Sequence, residues 1–346
     1  GGALRDALLK REIKDLDIEC YDIEPSKFEE AMEKLKADGV GKSFFVFKYK
    51  NQIDISLPRV ERKVAKGHKG FSVSLASNPK EASRRRDFTI NAMFFDLSKK
   101  EVIDFWGGLR DLEKRVLRAV DFNTFIEDSL RILRAVQFSA RFKFKIEKDT
   151  LLLCKSISLD DLPRERIYME FEKLFRSDYF HYGLSAIINM DIDLKLWNYK
   201  ISKSEFCTFS INYLRYKRNF LDSLKDYYFL TLLLQYTNLN YDILFESLKL
   251  PKRYNIIANL DKIPSLIKPS FVAKLAKKEP ISKNPLNFHP QIIKIAKKIG
   301  VWDRPFDIGV GGKELMEAGF RGKEISLELD RIFNQKINLL DKEYKI

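Results

Sequence analysis

The spacing of apolar residues changes its period along the chain. In the first third, apolar and polar residues alternate at 15–23 and at 43–57, which predicts a strand and then a hairpin turning at Lys50–Asn51. Helical spacing is limited there to 3–11 and 25–38. This part of the sequence therefore predicts a small mixed α/β unit.

Helical spacing dominates after residue 122. Leu130, Leu133, Val136 and Ala140 form one apolar stripe of a predicted helix. We therefore predict an α+β protein in which a small mixed α/β head is followed by helices only. The predicted divisions are a head over 1–122, a helical neck over 123–177, a helical body over 178–265 and a basic helical tail over 266–346.

Two short segments carry local signals of their own. The basic stretch 59–74 carries glycines without periodic apolar residues, and we predict a long mobile loop there. Thr124 followed by Glu127 matches a capping box, which predicts a helix start at Thr124.

The length and net charge of the chain indicate what kind of molecule it binds. The 346 residues are too many for one ordinary core, and 63 Lys+Arg against 49 Asp+Glu give a net charge of +14. This excess favours a polyanionic partner such as a nucleic acid. No apolar run approaches the roughly 20 residues of a membrane span. We expect no membrane association, and no obligate protein partner is evident.

The three cysteines are scattered without the spacing of a metal or redox motif, which favours a reduced protein of the cytoplasm. A glycine pair directly before a helix usually follows other structure. We therefore expect a further segment before Gly1.

The stretch "KDLDIE" places two carboxylates on one side of a strand. Residues two apart in a strand point to the same face, roughly 7 Å apart, so Asp15 and Asp17 repel each other unless a cation lies between them. The simpler interpretation is a solvated pair on an edge strand.

Several segments together resemble one enzyme family. The resemblance is to the head and neck of the class II tRNA nucleotidyltransferases and bacterial poly(A) polymerases, in the DNA polymerase beta superfamily. It covers residues 1 to about 175, and "GGKELMEAGFRG" near the end resembles the family's tail more weakly. The motifs, in order, are "GGALRDALL", "KDLDIE", "RRRDFTINAM", "EVIDFWGGLRDLEKRVLR" and "FIEDSLRILRAVQFSARF".

The three histidines lack the His-Asp pairing of a phosphohydrolase domain, so the sequence is closest to CCA-adding members without one.

The resemblance implies that Asp15 and Asp17 ligate two Mg²⁺ ions and are catalytic. Hard divalent cations prefer carboxylate oxygens, and two of them can clamp the attacking and leaving oxygens at phosphorus. Asp54 lies where the family places a third catalytic carboxylate. Its simpler interpretation is a solvent-facing strand residue.

Three further residues of the head are implied to bind the nucleotide. Gly2 and Arg5 lie at a helix start, where backbone N–H groups and the helix dipole favour phosphate. Arg86, in "RRRD", matches a nucleotide-binding arginine of the family. The simpler interpretation of this stretch is a basic helix start.

The neck motif "EDSLRILRAVQ" is implied to read the base. Asp128, Arg131, Arg134 and Gln137 follow each other at three-residue steps on one helix face. Asp128 would accept a hydrogen bond from the amine of C or A, Arg131 would donate to the ring nitrogen beside it, and Arg134 would also contact the nucleotide. Gln137 stands where the family commonly has another arginine.

The implied function is template-independent addition of CCA to the 3′ end of tRNA from CTP and ATP, with release of pyrophosphate. The lysines of 268–300 would hold the phosphates of the tRNA acceptor arm. The alternatives are a poly(A) polymerase, an enzyme that adds only A or only CC, and a basic RNA-binding protein whose site has decayed.

Overall fold

The computed structural model describes residues 1–41, 45–50, 52–63 and 71–344. The chain divides into two compact units, 1–200 and 201–346. The predicted boundaries at 122, 177 and 265 within these units stay predictions.

The strands of the described residues all lie in the first unit. They are β1 (Leu16–Glu19), β2 (Asp38–Gly41), β3 (Val46–Tyr49), β4 (Ile53–Ser56), β5 (Arg59–Lys63), β6 (Phe71–Leu75), β7 (Phe94–Asp96), β8 (Glu101–Ile103), β9 (Val116–Leu117) and β10 (Lys145–Ile146). The helices of this unit are α1 (Gly2–Leu8), α2 (Pro25–Lys34), α3 (Pro79–Arg84), α4 (Gly108–Lys114), α5 (Phe122–Phe125), α6 (Leu130–Phe142), α7 (Lys148–Ser156), α8 (Arg164–Phe175), α9 (Phe180–Asn189) and α10 (Ile192–Trp197).

The described part of the second unit is helical. Its helices are α11 (Lys203–Tyr216), α12 (Lys225–Tyr236), α13 (Tyr241–Leu248), α14 (Asn255–Ala258), α15 (Pro269–Leu275), α16 (Pro290–Lys298), α17 (Gly312–Glu317) and α18 (Lys323–Glu343). None of the helices among the described residues is long and apolar enough to cross a membrane. The predicted fold class is confirmed as a mixed α/β head followed by a mostly helical remainder.

The main sheet has the strand order β1-β4-β3-β2, with β1 parallel to β4 and the other pairs antiparallel. The hairpin predicted around residue 50 is β3 and β4. One face of this sheet packs on α2, where Phe28 and Met32 contact Phe47 of β3 and Ile55 of β4. Because side chains alternate along a strand, the other face is left to the polar residues of β1, β3 and β4.

Two predictions about the placement of strands are wrong. The predicted loop 59–74 begins and ends as β5 and β6, which pair antiparallel, while 64–70 lies outside the described residues. Val60 is the only apolar residue of β5, so periodicity could not reveal that strand. In β6, Phe71, Val73 and Leu75 alternate with serines, and this pattern could have indicated the strand. The neck is not purely helical either, because β10 pairs in parallel with β9 of the head.

The central helix of the first unit is α6, which packs against α8 and α9. It is buried on nearly all sides rather than along one stripe. It begins at Leu130, and the expected capping box at Thr124 is absent, because Thr124 lies inside α5 and its backbone N–H donates to Asp121. The side chain of Asp121 therefore does the capping.

The second unit has two aromatic and apolar centres. Phe220 stacks on Tyr228 with ring centroids 4.0 Å apart, and the hydroxyl of Tyr228 donates to Asn287 at 2.8 Å. Near the end of the chain, Phe333 and Ile337 of α18 pack on Ala273 of α15. The predicted basic stretch 268–300 thus includes α15 and α16, whose apolar sides are buried.

Gly183 of α9 offers a test of how closely the helices of the first unit pack. A Cβ added there would lie 2.5 Å from Cδ1 of Leu174 and 3.0 Å from Cβ of Ala140. We expect Gly183→Ala to lower the free energy of unfolding by about 1–3 kcal/mol, measured by urea denaturation, because overpacking forces neighbours to move. Gly312→Ala is the control, since its Cβ would lie 3.7 Å from Ile325 in ordinary contact. Equal effects of the two changes would contradict close packing of α6, α8 and α9.

Candidate active site

Three carboxylates lie on the face of the main sheet that is turned away from α2. Asp17 of β1 is paired in register with Asp54 of β4, while the neighbouring Ile18 and Ile55 lie on the core side. Asp15 precedes β1 by one residue and, by strand alternation, shares the face of Asp17. The sequence prediction that places these three side chains together therefore agrees with the strand register.

A lysine that sequence reasoning missed lies among these carboxylates. Lys48 of β3 is the cross-strand partner of Asp54, and its Nζ lies 2.9 Å from Oδ1. The hydrogen bond and charge of Asp54 raise the pKa of Lys48, and the charges of Asp15 and Asp17 add to this. The ammonium group thus balances part of the negative charge on this face.

The donor set fits a divalent cation that is shared with a ligand. Among the described residues, no group of three His, Cys, Asp or Glu side chains could hold a metal ion unaided. Mg²⁺ is commonly held by one or two carboxylates together with substrate phosphates. Asp15 and Asp17, both exposed, meet this lower requirement.

The start of α1 lies beside these carboxylates. A Cβ on Gly1 would lie 3.9 Å from Oδ2 of Asp17, and Gly2 opens this seven-residue helix. Arg5 is turned into the protein and is 5% exposed. Its guanidinium pairs with Asp6 at 2.8 Å and donates to Asn91 at 2.5 Å.

Arg5 also joins α1 to α6. Its guanidinium carbon lies 4.7 Å from the ring centre of Phe142 and 5.3 Å from that of Phe138. A buried cation is stabilised by such partners, and each contact here fixes the first helix against the neck helix. In this structure the side chain therefore holds the fold together, and its predicted contact with the nucleotide stays a prediction.

Arg86 contacts the main sheet through Glu19 of β1, a residue that the sequence analysis did not single out. Its Nη2 donates to Oε1 of Glu19 at 2.6 Å, and the hydroxyl of Tyr21 donates to Oε2 at 2.7 Å. Glu19 follows Asp15 and Asp17 at two-residue steps on β1, and this alternation could have identified it. Burial and the contact with Glu19 raise the pKa of Tyr21, so the hydroxyl keeps its proton.

The next residue, Asp87, is buried and forms an ion pair with the half-buried Arg134. Nε of Arg134 donates to Oδ2 of Asp87 at 2.6 Å, while Asn91 donates to Oδ1 at 2.8 Å. Burial by itself would raise the pKa of Asp87, but Arg134 and the hydrogen bonds from Asn91 and Phe88 hold it below its usual value. Arg134 was predicted to bind the nucleotide, and it links α6 to the head here.

The predicted base-reading pair lies at the start of α6. Arg131 donates from Nη1 to the carbonyl of Thr124 at 2.6 Å and from Nη2 to that of Arg85 at 2.7 Å. Asp128 is partly exposed, and its Oδ1 accepts from the backbone N–H of Leu130 at 3.2 Å. A guanidinium has five N–H donors, so these two bonds fix its plane and leave donors for a ligand.

Gln137 does not share the surroundings of these residues. It is 2% exposed within α6, and its side-chain oxygen has no hydrogen-bond partner among the described residues. The sequence placed Gln137 on one helix face with Asp128, Arg131 and Arg134. In the structure it lies apart from them, because its side chain is packed in the interior.

Comparison with known proteins finds two family matches within the first unit. Residues 1–118 match the family described as "Poly A polymerase head domain", and 143–192 match "Probable RNA and SrmB- binding site of polymerase A". Residues 1–118 are therefore similar to a poly(A) polymerase head domain. The family resemblance drawn from the sequence motifs is confirmed.

Named relatives of this head domain are CCA-adding proteins. The chain is 39% identical over 188 residues to "Multifunctional CCA protein" of Stenotrophomonas maltophilia strain K279a, which is 51% of this chain and 45% of that protein. It is 34% identical over 193 residues to "CCA-adding enzyme" of Streptococcus sanguinis strain SK36, which is 54% of this chain and 48% of that protein. The chain spans about half the length of the curated relatives it matches.

Solved structures of the same kind share the fold over nearly the whole chain. The Bacillus stearothermophilus CCA-adding enzyme in complex with CTP has a TM-score of 0.67 at 22% identity, covering 99% of this chain and 89% of that one. A complex of a CCA-adding enzyme with ATP has a TM-score of 0.66 at 25% identity, covering 97% of this chain and 84% of that one.

In the head domain, the structure brings together most of the predicted site. Asp15, Asp17, Asp54 and Arg86 share one sheet face or its edge. Asp128 and Arg131 reach this region because Arg131 bonds the carbonyl of Arg85. The roles of all these residues, and of Gly2, Arg5 and Arg134, stay predictions.

The ion pair between Asp87 and Arg134 predicts a pH-dependent stability. Asp87→Asn should lower the free energy of unfolding at pH 7 by about 1–3 kcal/mol, because it leaves the half-buried guanidinium of Arg134 without its counter-charge. The pKa of Asp87 is lower in the folded protein, so its stabilisation is complete above the unfolded value of about 3.9 and is lost as pH falls through the folded value. Urea unfolding from pH 2 to 7 should therefore show the two proteins converging at acid pH.

The control for this change is Glu30→Gln. Glu30 pairs with Lys34 on the exposed side of α2 at 2.7 Å, and such pairs contribute little. A loss of stability with Glu30→Gln as large as that with Asp87→Asn would contradict a special role for the pair of Asp87 and Arg134.

Proposed function

We propose that this chain adds CCA to the 3′ end of tRNA from CTP and ATP, without a nucleic-acid template, and releases pyrophosphate. The observation that carries the proposal is one connected site. The carboxylate face of β1 and the base-reading residues of α6 meet through the segment 85–87, whose three residues all contact one or the other. The names of its relatives support this choice of reaction.

The chemistry of the carboxylate face supports nucleotidyl transfer. Proteins of this nucleotidyltransferase family generally use a divalent metal, and we propose Mg²⁺ held by Asp15 and Asp17. When bound, such ions stabilise the attacking and leaving oxygens of a displacement at phosphorus. Asp54, on the adjacent strand, would orient the 3′-hydroxyl of the RNA end, and Arg86 would hold the triphosphate.

The neck would choose the base by hydrogen bonding. The carboxylate of Asp128 accepts from the exocyclic amine of C or A, and Arg131 donates to the ring nitrogen beside it. U and G present the opposite pattern, and the unpaired groups cost about 1–3 kcal/mol each. Since backbone carbonyls hold the guanidinium of Arg131 in place, the selection needs no template strand.

A poly(A) polymerase is the second candidate, because the matched head domain carries that name. The two activities share their chemistry and differ in the RNA they accept and the length they add. A tRNA transcript that ends before its first C, one that ends after CC, and an unrelated RNA separate them by product length on a gel. We expect additions of three residues, one residue and none; long tails on every RNA would favour the poly(A) polymerase.

Removal of either carboxylate tests the catalytic assignment. Asp15→Ala and Asp17→Ala should abolish incorporation of both C and A, while the dissociation constant for tRNA stays unchanged, because the two side chains serve chemistry and not docking. Glu33→Ala, which removes an exposed carboxylate of α2, is the control and should behave as wild type. Near-normal turnover of either aspartate variant with Mg²⁺ would show that the metal assignment is wrong.

Asp128→Ala tests base selection separately from catalysis. The change removes the acceptor for the amine of C and A while Arg131 keeps its donors, so the ratio of kcat/KM for CTP to that for UTP should fall about tenfold. Glu127→Gln changes the neighbouring charge and should leave the ratio unaltered. If Asp128→Ala lowers kcat/KM for all four nucleotides equally, Asp128 holds the neck and does not read the base.

A further inference from the structure

Glu19, the last residue of β1, continues a row of carboxylates that starts with Asp15, just before the strand, and Asp17. Residues at two-residue steps share one face of a strand. Asp15 and Asp17 are exposed, whereas the side chain of Glu19 is only 8% exposed. A carboxylate that lies this deep needs partners, because an unpaired buried charge is costly.

Both oxygens of Glu19 are occupied. Oε1 accepts from Nη2 of Arg86 at 2.6 Å, and Oε2 accepts from the hydroxyl of Tyr21 at 2.7 Å. Charge-assisted hydrogen bonds of this length are among the strongest that side chains form. With both oxygens bonded, Glu19 cannot rotate freely, and it holds Arg86 in one orientation.

The backbone around Arg86 is fixed from the opposite side by α6. The carbonyl of Arg85 accepts from Arg131, and the carboxylate of Asp87 accepts from Arg134. Three consecutive residues are thus held alternately by the neck and by the carboxylate strand. The side chain of Arg86 is 25% exposed, so part of its guanidinium remains open to a ligand.

We propose that Glu19, supported by Tyr21, is a positioning residue that fixes Arg86 beside Asp15 and Asp17 for the phosphates of an incoming nucleoside triphosphate. The inference rests on the proposed function for the identity of the ligand. Glu19 does not touch the ligand itself. Its contribution passes through Arg86, and therefore depends on the arginine being present.

A double-mutant cycle tests this dependence. Glu19→Ala, Arg86→Ala and the double variant are compared with wild type for CTP binding by calorimetry without tRNA, and for KM and kcat of C addition. We expect Glu19→Ala to weaken CTP binding and raise its KM about tenfold, the equivalent of one lost charged hydrogen bond, with a smaller change in kcat. The double variant should bind CTP as Arg86→Ala does, within about twofold, because distant effects add and coupled ones do not.

Two milder variants guard against a loss of folding. Glu19→Gln keeps an acceptor for Arg86 and Tyr21→Phe removes one supporting bond, so each should raise the CTP dissociation constant by about two- to threefold. The tRNA dissociation constant should stay at the wild-type value in all variants.

Three results would overturn the proposal. Unchanged CTP affinity in Glu19→Ala would show that Arg86 needs no anchor, and tighter binding would make Glu19 an opposing charge. Additive losses in the double variant would show that Glu19 acts independently of Arg86. If the wild type binds CTP but adds no C to tRNA, the proposed function fails while the binding cycle still tests Glu19.

Discussion

The ion pair between Asp87 and Arg134 is the interaction on which the arrangement of the site depends. It joins residues 47 positions apart, and it buries a carboxylate that must be matched by donors or lose its charge. Asn91 supplies the second donor and in turn accepts from Arg5, which stacks on the phenyl rings of α6. The first helix, the segment after α3 and the neck helix are therefore fixed to each other by one polar network inside an aromatic core.

Under the proposed function, this network would let chemistry and base recognition lie on different elements and still act on one nucleotide. The carboxylates are fixed by a sheet whose other face packs on α2, and the residues proposed to read the base lie at or just before the start of α6. The segment 85–87 lies between β1 and α6 and has little freedom, because each of its residues is hydrogen-bonded to one of these two elements. Phosphoryl-type transfer without a covalent intermediate depends mainly on side chains that are held in fixed positions around the reacting groups.

The sequence predicted the local parts of the site and missed its long-range contacts. Strand alternation and the two aspartates were sufficient to place a carboxylate face, and the order of motifs was sufficient to indicate the family. The partners of Arg5 and Arg134 could not be predicted, because they come from residues far away in sequence. Glu19 and Lys48 could have been found, since the same alternation that selects Asp17 also selects them. Strand β5 could not, because Val60 is its only apolar residue, whereas the alternation of Phe71, Val73 and Leu75 in β6 could have been recognised.

The identity of the nucleotides added by the wild-type protein tests the account most directly. The chain is incubated with a tRNA transcript that ends before its first C, all four nucleoside triphosphates at equal concentration and Mg²⁺, and the 3′ ends are sequenced. If side chains at the start of α6 select the base at a site fixed to the carboxylate face, the added sequence is CCA and addition then stops. Ends that contain U or G at the frequency of C and A, or runs of A alone, would contradict the account.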